Sequence, residues 1–282
     1  AHVTMLQRSP SYVVSLPAED RLANWLRRRL PARVAYSITR WKNVLFGIAF
    51  YSFCRRFPKH ARRLILAGVR ARLGRDFDVE KHFSPAYDPW DQRLCLVPNS
   101  DFFAAIRSGR ASVVTDHIER FTSSGIRLRS GAELEADLVV TATGLKLRVL
   151  NGVDILVDGE KIDPSDAVTY KGMMLSDVPN LAFSIGYTNA SWTLKSDLAC
   201  QYVCRLLDHM AKHGHRVCCA RNVDPTLERE PLIDFSSGYV LRSVRELPKQ
   251  GSRSPWKLHQ NYLLDRLALG YGPVADEAMQ FS

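Results

Sequence analysis

Two adjacent residues near the amino terminus have the chemistry to hold a phosphate. Arg8 and Ser9 follow a short apolar run at residues 3–6, which predicts a strand that ends just before them. In a dinucleotide-binding domain the second strand ends beside the adenosine ribose, and an arginine there accommodates the 2′-phosphate of NADP. A guanidinium matches phosphate geometry in two parallel hydrogen bonds, and a neighbouring hydroxyl adds a third. An arginine at a strand end is also a common surface charge, so both interpretations stay open.

A second segment, residues 137–144, predicts a buried strand with an acid at its start and Thr143 and Gly144 at its exit. Small residues are needed where a backbone passes close to a bound cofactor, because glycine lacks the Cβ that would clash. The same pattern fits an ordinary strand that ends in a turn.

The third segment, residues 186–192, predicts a polar loop that leads into a helix. The apolar positions of this helix are spaced by four and are Leu194, Leu198, Tyr202, Leu206 and Met210. Asn189 or Ser191 is a suitable N-cap. A helix amino terminus carries about half a positive charge, so it favours an anion such as the pyrimidine edge of a reduced flavin. A capped helix without a ligand is the alternative.

The net charge of +10 is concentrated in one region of the chain. The basic residues of this region are Arg27, Arg28, Arg29, Arg55, Arg56, Lys59, Arg62, Arg63, Arg70, Arg72 and Arg75. Such a cluster could bind nucleic acid or an anionic membrane, or it could be the solvated face of a helical segment. No zinc-finger spacing or aromatic ribonucleoprotein motif accompanies it. No nucleic-acid partner is therefore expected, whereas a peripheral membrane contact stays open.

Length and composition indicate a globular chain of about two domains, since 46% of its 282 residues are hydrophobic. The longest apolar run, residues 44–54, is shorter than the about 20 residues that span a bilayer. Six cysteines in a chain of this length do not form a disulfide framework, and the amino terminus has no secretory pattern. A reducing, cytoplasmic setting is expected. The cysteine and histidine spacings fit no standard zinc site, so no metal is expected.

The elements that must position these residues follow a helical and then an α/β pattern. Residues 20–74 have apolar positions at intervals of three and four, which predicts helices, and residues 77–91 are a loop rich in Pro, Asp and His. The later predicted elements are a helix at 102–108, a strand at 112–115, a hairpin of 118–121 with 126–128, strands at 138–141 and 181–185, and the long helix.

Four segments resemble, in kind and order, the flavin-containing and Baeyer–Villiger monooxygenases. They are residues 2–10, 90–93, 142–144 and 186–194, and the likeness runs nearly to the end of the chain. The resemblance implies an α/β, two-dinucleotide-binding-domain flavoprotein fold of Rossmann type, incomplete at its amino terminus and carrying a helical insertion. It divides the chain into a remnant of the NADP-binding domain (1–18), the insertion (19–89), the rest of the NADP-binding domain (90–136) and the carboxyl-terminal part of the FAD-binding domain (137–282).

The resemblance also implies roles for single residues. Arg8 and Ser9 would receive the 2′-phosphate of NADPH, and Gln92 stands at a cofactor position where many members carry lysine. Arg93 would be the active-site arginine beside the flavin C4a position, where a permanent positive charge stabilises developing negative charge. The residues expected beside the flavin are Thr143, Gly144, Asn189, Ser191, Trp192 and Leu194.

The implied function is an FAD- and NADPH-dependent monooxygenase that performs Baeyer–Villiger or sulfur oxygenation on a small ketone or thioamide-like substrate. Such enzymes need two glycine loops for the two dinucleotides and a fingerprint FxGxxxHxxxWP between them. The sequence contains none of the three, which indicates the carboxyl-terminal portion of such an enzyme. We therefore expect weak flavin binding and no activity from this polypeptide alone. It would be a non-catalytic truncated remnant, or it would work with an amino-terminal fragment made separately.

Overall fold

The computed structural model describes residues 1–233 and 235–282, leaving aside the side chains of Val149 and Asn151. The chain divides into two compact units, Ala1–Thr143 and Gly144–Ser282. Within the described residues the strands form sheets of two or three strands each. No helix in this part of the chain combines the length and the apolar character needed to cross a membrane.

The first unit alternates short strands with a long helical section. Its strands are β1 (Val3–Gln7), β2 (Val13–Leu16), β3 (Cys95–Pro98), β4 (Ala111–Thr115), β5 (Ile118–Phe121), β6 (Gly125–Leu128) and β7 (Glu133–Glu135). Its helices are α1 (Arg21–Arg29), α2 (Ala32–Arg56), α3 (Pro58–Leu73), α4 (Val79–Phe83) and α5 (Asp101–Arg107). The strands predicted at the amino terminus and at 112–115, the helix at 102–108 and the helices of residues 20–74 are confirmed.

Two parallel strand pairs shape the sheet region of this unit. Strand β1 pairs with β4 from Val3↔Ala111 to Gln7↔Thr115, and β2 pairs with β3 from Val13↔Cys95 onward. Strands β5, β6 and β7 form an antiparallel meander, so the predicted hairpin is confirmed. In a parallel pair the carboxyl ends of both strands lie at one edge, which is where ligands bind in open α/β sheets.

The helical section packs on these strands through α3. The buried core joins α3, α4 and α5 to the strands and consists of Val13, Leu66, Val69, Leu73, Val79, Phe83, Phe103 and Val113. Burial of each large side chain contributes about 1.5–3 kcal/mol. Helix α1 begins at its N-cap Asp20, whose carboxylate accepts from the Ala23 amide at 3.0 Å.

The prediction of an unbroken loop at residues 77–91 is wrong. Helix α4 lies inside it, because the Asp78 carboxylate accepts from the Lys81 amide at 3.0 Å and caps a turn. Phe83 from this turn is buried in the core beside Phe103. One capped turn and one buried aromatic ring are enough to order a segment whose composition alone suggests a loop.

The second unit is built around one long helix, α6 (Trp192–His213). Its strands are β8 (Ile155–Val157), β9 (Glu160–Ile162), β10 (Thr169–Tyr170), β11 (Met174–Leu175), β12 (Cys218–Ala220), β13 (Arg229–Pro231), β14 (Lys249–Gly251) and β15 (Met279–Phe281). Its shorter helices are α7 (Gly238–Leu241), α8 (Tyr262–Asp265), a 3₁₀ turn (Val149–Gly152) and a π-helix (Arg266–Tyr271). The predicted apolar face of α6 is confirmed, since Leu198, Tyr202, Leu206 and Met210 are all buried.

The strands predicted at 138–141 and 181–185 do not form. Leu138 and Val140 are 79% and 80% exposed, so the expectation of a buried strand there is also wrong. The backbone at 181–185 instead joins the β10–β11 turn, where the Phe183 amide donates to the Met173 carbonyl at 2.8 Å. The apolar composition suits a strand in both places. A ladder also needs a neighbour, and none of the described segments lies in register beside either one.

Candidate functional site

The carboxyl end of β1 presents Arg8 and Ser9 as exposed side chains. The residue before them is fixed by its neighbours. The Gln7 side chain donates to the His82 carbonyl and to Thr115 Oγ1, each at 2.8 Å, and the Asp116 amide donates to the Gln7 carbonyl at 3.0 Å. Because Gln7 anchors the end of the strand, the chain turns outward at a defined point. An arginine and a hydroxyl then stand at the edge where a parallel sheet binds its ligands.

His82 completes this anchor from α4. Its Nδ1 lies 2.8 Å from Thr115 Oγ1, the hydroxyl that also accepts from Gln7. Burial lowers the pKa of His82 below its ordinary value, and the nearby Lys81 ammonium lowers it further while Asp78 opposes the shift. The neutral imidazole is therefore favoured near pH 7. Sequence analysis missed His82 because it lies in the segment predicted as a loop.

Arg93 follows a tight turn that α2 holds in place. The Asp91 carboxylate is 2.7 Å from Arg55, and the Trp90 ring packs edge-on against Tyr51 with 5.5 Å between centroids. Tyr51 and Arg55 are one helical turn apart, so both reach the same turn of the chain. Arg93 itself is exposed.

Gln92 is half-buried and forms an isolated bridge with Pro89. Arg93 therefore follows immediately after this bridge and precedes β3 in the chain. Helix α2 thus holds the turn that precedes the predicted catalytic arginine. The sequence signal for this contact was the spacing of four between Tyr51 and Arg55.

In the second unit, Gly144 adopts φ +105°, a left-handed conformation that favours glycine. A Cβ at this position would lie 3.3 Å from Arg242 Nη2, and the same guanidinium donates to the Leu145 carbonyl at 3.1 Å. Backbone conformation is therefore sufficient reason for this glycine. Its predicted role beside a cofactor stays a prediction, as does that of the exposed Thr143.

The loop at residues 186–192 is folded closely on itself. A Cβ added to Gly186 would lie 2.5 Å from Trp192 Cβ and would overlap the indole ring. The Thr188 amide donates to Gln260 Oε1 at 3.0 Å, and the Asn189 side chain donates to the Gln260 carbonyl at 2.9 Å. The Thr188 hydroxyl also donates to Gln260 Oε1, at 3.3 Å, so three hydrogen bonds join the loop to Gln260, and Trp192 packs inside the loop.

Ser191 is the N-cap of α6 by position, but its side chain does not cap the helix. Its hydroxyl lies 2.8 Å from the Thr193 hydroxyl instead, so that part of the expectation is wrong. A hydroxyl that has a side-chain partner does not compete for the first amides of a helix. Trp192 is 53% exposed, and Leu194 is half-buried where α6 starts.

Sequence analysis missed a buried ionic triad just behind this loop. Lys195 Nζ donates to Asp265 Oδ2 at 2.8 Å, and the Tyr187 hydroxyl donates to the same oxygen at 2.7 Å. All three side chains are nearly inaccessible to solvent. Burial lowers the pKa of Lys195, with Asp265 opposing that shift, and burial together with Asp265 raises the pKa of Tyr187. Lys195 lies on the face of α6 that carries Leu198, which was the one available clue.

The predicted site residues fall into two sets. The first unit contains Arg8, Ser9, Gln92, Arg93 and Thr143, and the second contains Gly144, Asn189, Ser191, Trp192 and Leu194. Among the described residues, no group of three or more histidine, cysteine or acidic side chains is arranged to hold a metal ion. All six cysteines are free, and burial raises the pKa of Cys54 to about 11.

No protein-family model matches the chain. Over 281 residues it is 52% identical to the FAD-containing monooxygenase EthA of Mycobacterium tuberculosis, a match that covers 100% of this chain and 58% of the relative. The chain thus spans little more than half of that protein.

Among solved structures, the chain is similar to OTEMO complexed with FAD and NADP, with a TM-score of 0.65 at 13% identity over 100% of this chain and 62% of that one. It is also similar to an oxidized steroid monooxygenase bound to NADP, with a TM-score of 0.64 at 17% identity over 99% of this chain and 62% of that one. The fold is accordingly part of the α/β, two-dinucleotide-binding-domain fold expected from the sequence. Along its whole length the chain matches part of the FAD-containing monooxygenases, and the resemblance inferred from its motifs is confirmed.

Proposed function

We propose that this chain is the carboxyl-terminal portion of an FAD- and NADPH-dependent monooxygenase that oxygenates a small ketone or thioamide-like compound. Residues 1–18 and 90–136 would belong to an NADP-binding domain interrupted by the insertion at 19–89, and residues 137–282 to an FAD-binding domain. The observation that carries the proposal is the exposed pair Arg8 and Ser9 at the carboxyl edge of the parallel strands β1 and β4. The six free cysteines fit a reducing, cytoplasmic setting.

Arg8 and Ser9 fit the 2′-phosphate of NADPH. Their side chains are exposed, while Gln7 is held inward by His82 and Thr115. The guanidinium can donate two parallel hydrogen bonds to a phosphate and the hydroxyl one more, which a ribose without the phosphate cannot use. This pair would thus select NADPH over NADH.

Arg93 fits a role beside the reacting centre because its charge is permanent and its position is fixed by Asp91 and Trp90. Bound FAD would supply the redox chemistry, in which a hydride from NADPH and one proton reduce O2, so that one oxygen atom enters the substrate and the other leaves as water. The guanidinium would stabilise the negative charge that develops there and would orient the nicotinamide. Gln92 would add a neutral amide contact.

The loop at 186–192 and the start of α6 would lie along the flavin. Asn189 is held by Gln260, and Ser191, Trp192 and Leu194 follow at the amino end of a 22-residue helix. The positive end of the helix dipole suits the anionic edge of a reduced flavin. Thr143 and Gly144, where the two units meet along the chain, would also contact the flavin.

The first test measures binding of 2′,5′-ADP and of 5′-ADP to the chain by calorimetry. We expect 2′,5′-ADP to bind more tightly, and Arg8→Ala to weaken it about tenfold while leaving 5′-ADP unchanged. Arg107→Ala is the matched control, because Arg107 is also exposed but ends α5, before the amino end of β4. Equal affinities for both nucleotides, or equal losses in both variants, would contradict the assignment of this edge.

The proposal includes an amino-terminal polypeptide that supplies the glycine loops, encoded with this chain or separately. The 58% coverage of the relative and the exposed apolar residues Leu138 and Val140 both support such a partner. FAD absorbance near 450 nm should remain with the purified chain only when that portion is present. If FAD is retained neither by the chain alone nor by the chain with that portion, a non-catalytic remnant is favoured.

A second candidate function, contact with an anionic membrane surface, is favoured by exposed aromatic residues of the insertion. Trp25, Phe46 and Phe57 are each more than half exposed, and Arg29 lies over the Trp25 ring at 5.9 Å. Aromatic rings mixed with arginines suit the headgroup region of a bilayer. Sedimentation with phosphatidylserine vesicles that is lost at high salt, without any effect of FAD, would support it over the nucleotide role.

A further inference from the structure

The short segment at residues 260–265 holds the loop at 186–192 from two sides. Gln260 adopts φ +49° and accepts hydrogen bonds from the Thr188 amide and the Asn189 side chain. Asn261 then caps α8 by accepting from the Leu263 amide at 2.9 Å. Asp265 ends that helix and points into the triad. The segment 260–265 therefore carries two clamps on the loop: an outer clamp at Gln260, before α8, and an inner clamp at Asp265, where α8 ends.

The inner clamp converges on a single atom. Asp265 Oδ2 accepts from Tyr187, at the start of the loop, and from Lys195, one turn into α6. Lys195 Nζ also lies 5.9 Å from the centre of the Tyr187 ring. Because one oxygen holds both ends of the segment, its two anchors cannot shift independently. The side chains are buried, with exposures of 2% for Tyr187 and Lys195 and 4% for Asp265.

A structural role alone is a poor reason for these groups. A buried ion pair costs several kcal/mol per ion in desolvation, and well-packed apolar side chains of similar volume are often as stable or more so. An ion pair with a shared hydroxyl does supply direction, because its hydrogen bonds exist in only one geometry. The neighbouring loop is the segment that would benefit from such direction, since residues 189–194 include the end of the loop and the first turn of the helix proposed to face the flavin.

We infer that Tyr187, Lys195 and Asp265 are positioning residues that fix the loop at 186–192 and the amino end of α6 in the one register that suits the flavin. This inference rests on the proposed function. None of the three side chains is accessible enough to touch the cofactor, so they act through Asn189, Ser191, Trp192 and Leu194.

The test compares Tyr187→Phe, Lys195→Met and the double variant Lys195→Met/Asp265→Leu with the wild-type chain. Lys212→Met is the matched control, because Lys212 lies on the same helix in an exposed position. The first readout is hydrogen exchange of the amides at 187–194, together with the melting temperature. The second is the dissociation constant for FAD, followed by quenching of flavin fluorescence.

We expect Lys195→Met to lower the melting temperature and the double variant to restore it, since no buried charge is then left without a partner. The double variant and Tyr187→Phe should nevertheless exchange the loop amides about tenfold faster than the wild type. Lys212→Met should change neither quantity. A double variant that recovers both stability and protection would overturn the inference, because packing alone would then hold the loop.

The flavin readout separates this inference from the proposed function. If the wild type binds FAD, the triad variants should bind it about tenfold more weakly and shift its visible band, whereas Lys212→Met should not. Identical FAD affinities and spectra in all variants would overturn the positioning role. If the wild type binds no FAD, flavin binding by this chain alone fails, and the exchange rates of the folded variants still decide whether the triad fixes the loop.

Discussion

Gly186→Ala tests most directly how closely the loop before α6 is packed. The new Cβ would lie 2.5 Å from Trp192 Cβ, against about 3.4 Å for ordinary contact. Roughly 0.9 Å of movement is required, and rotation of the indole cannot provide it, since Trp192 Cβ is bonded to the backbone of the first helical residue. The start of α6 or the loop must therefore shift.

Overpacking of this kind costs about 1–3 kcal/mol, which corresponds to a fall in melting temperature of roughly 3–12 °C for a unit of this size. Thermal unfolding followed by near-ultraviolet circular dichroism measures the shift and reports on Trp192 as well. Gly270→Ala is the matched control in the same unit, because its Cβ would meet only Arg266 Cγ at 4.0 Å. Equal melting temperatures for Gly186→Ala and the wild type would refute the reasoning, as would an equal loss in Gly270→Ala.

Three further outcomes are expected. Gly47→Ala, in the middle of α2 with no atom within 4 Å of the added Cβ, should raise the free energy of unfolding by about 0.5–1 kcal/mol in urea titrations, and a loss would mean that the site is packed. Because the pKa of His82 is lowered in the folded state, the unfolded chain binds more protons than the folded chain as the pH falls below about 6.5. Acidification from pH 7 to 5 should therefore destabilise the first unit, and His82→Gln should reduce that pH dependence. Since the pKa of Cys54 is raised to about 11, iodoacetamide at pH 8 should alkylate the exposed Cys200 and leave Cys54 unmodified in peptide mass spectra; equal labelling would contradict its burial.

The local elements could be predicted because their signals are local. Spacing by four along Leu198, Tyr202 and Leu206 marks one face of a helix whatever surrounds it. The strand before Arg8 and the hairpin at 118–128 likewise carry their own patterns. These elements therefore agree between sequence and structure.

Prediction from the sequence failed where the local structure depends on residues that are distant in the chain. Residues 138–141 have the composition of a strand, but a strand exists only when another lies beside it. The Tyr187–Asp265–Lys195 triad joins residues 70 and 78 positions apart. A lysine is ordinarily a surface residue, so only the neighbouring Leu198 hinted that Lys195 is buried. Helix α4 was missed because a single capping carboxylate outweighs the breakers around it.

The pairing of β1 with β4 has a kinetic consequence. Gln7 and Thr115 are 108 residues apart in the chain and meet at the end of the same strand pair. Closing a loop of that length costs about 4 kcal/mol of chain entropy before any contact of the pair forms. During synthesis at about 5–20 residues per second, β1 would wait roughly 5–20 s for its partner to emerge. The phosphate-binding edge that we propose at Arg8 would therefore form only after β4, more than 100 residues further along the chain, has been made.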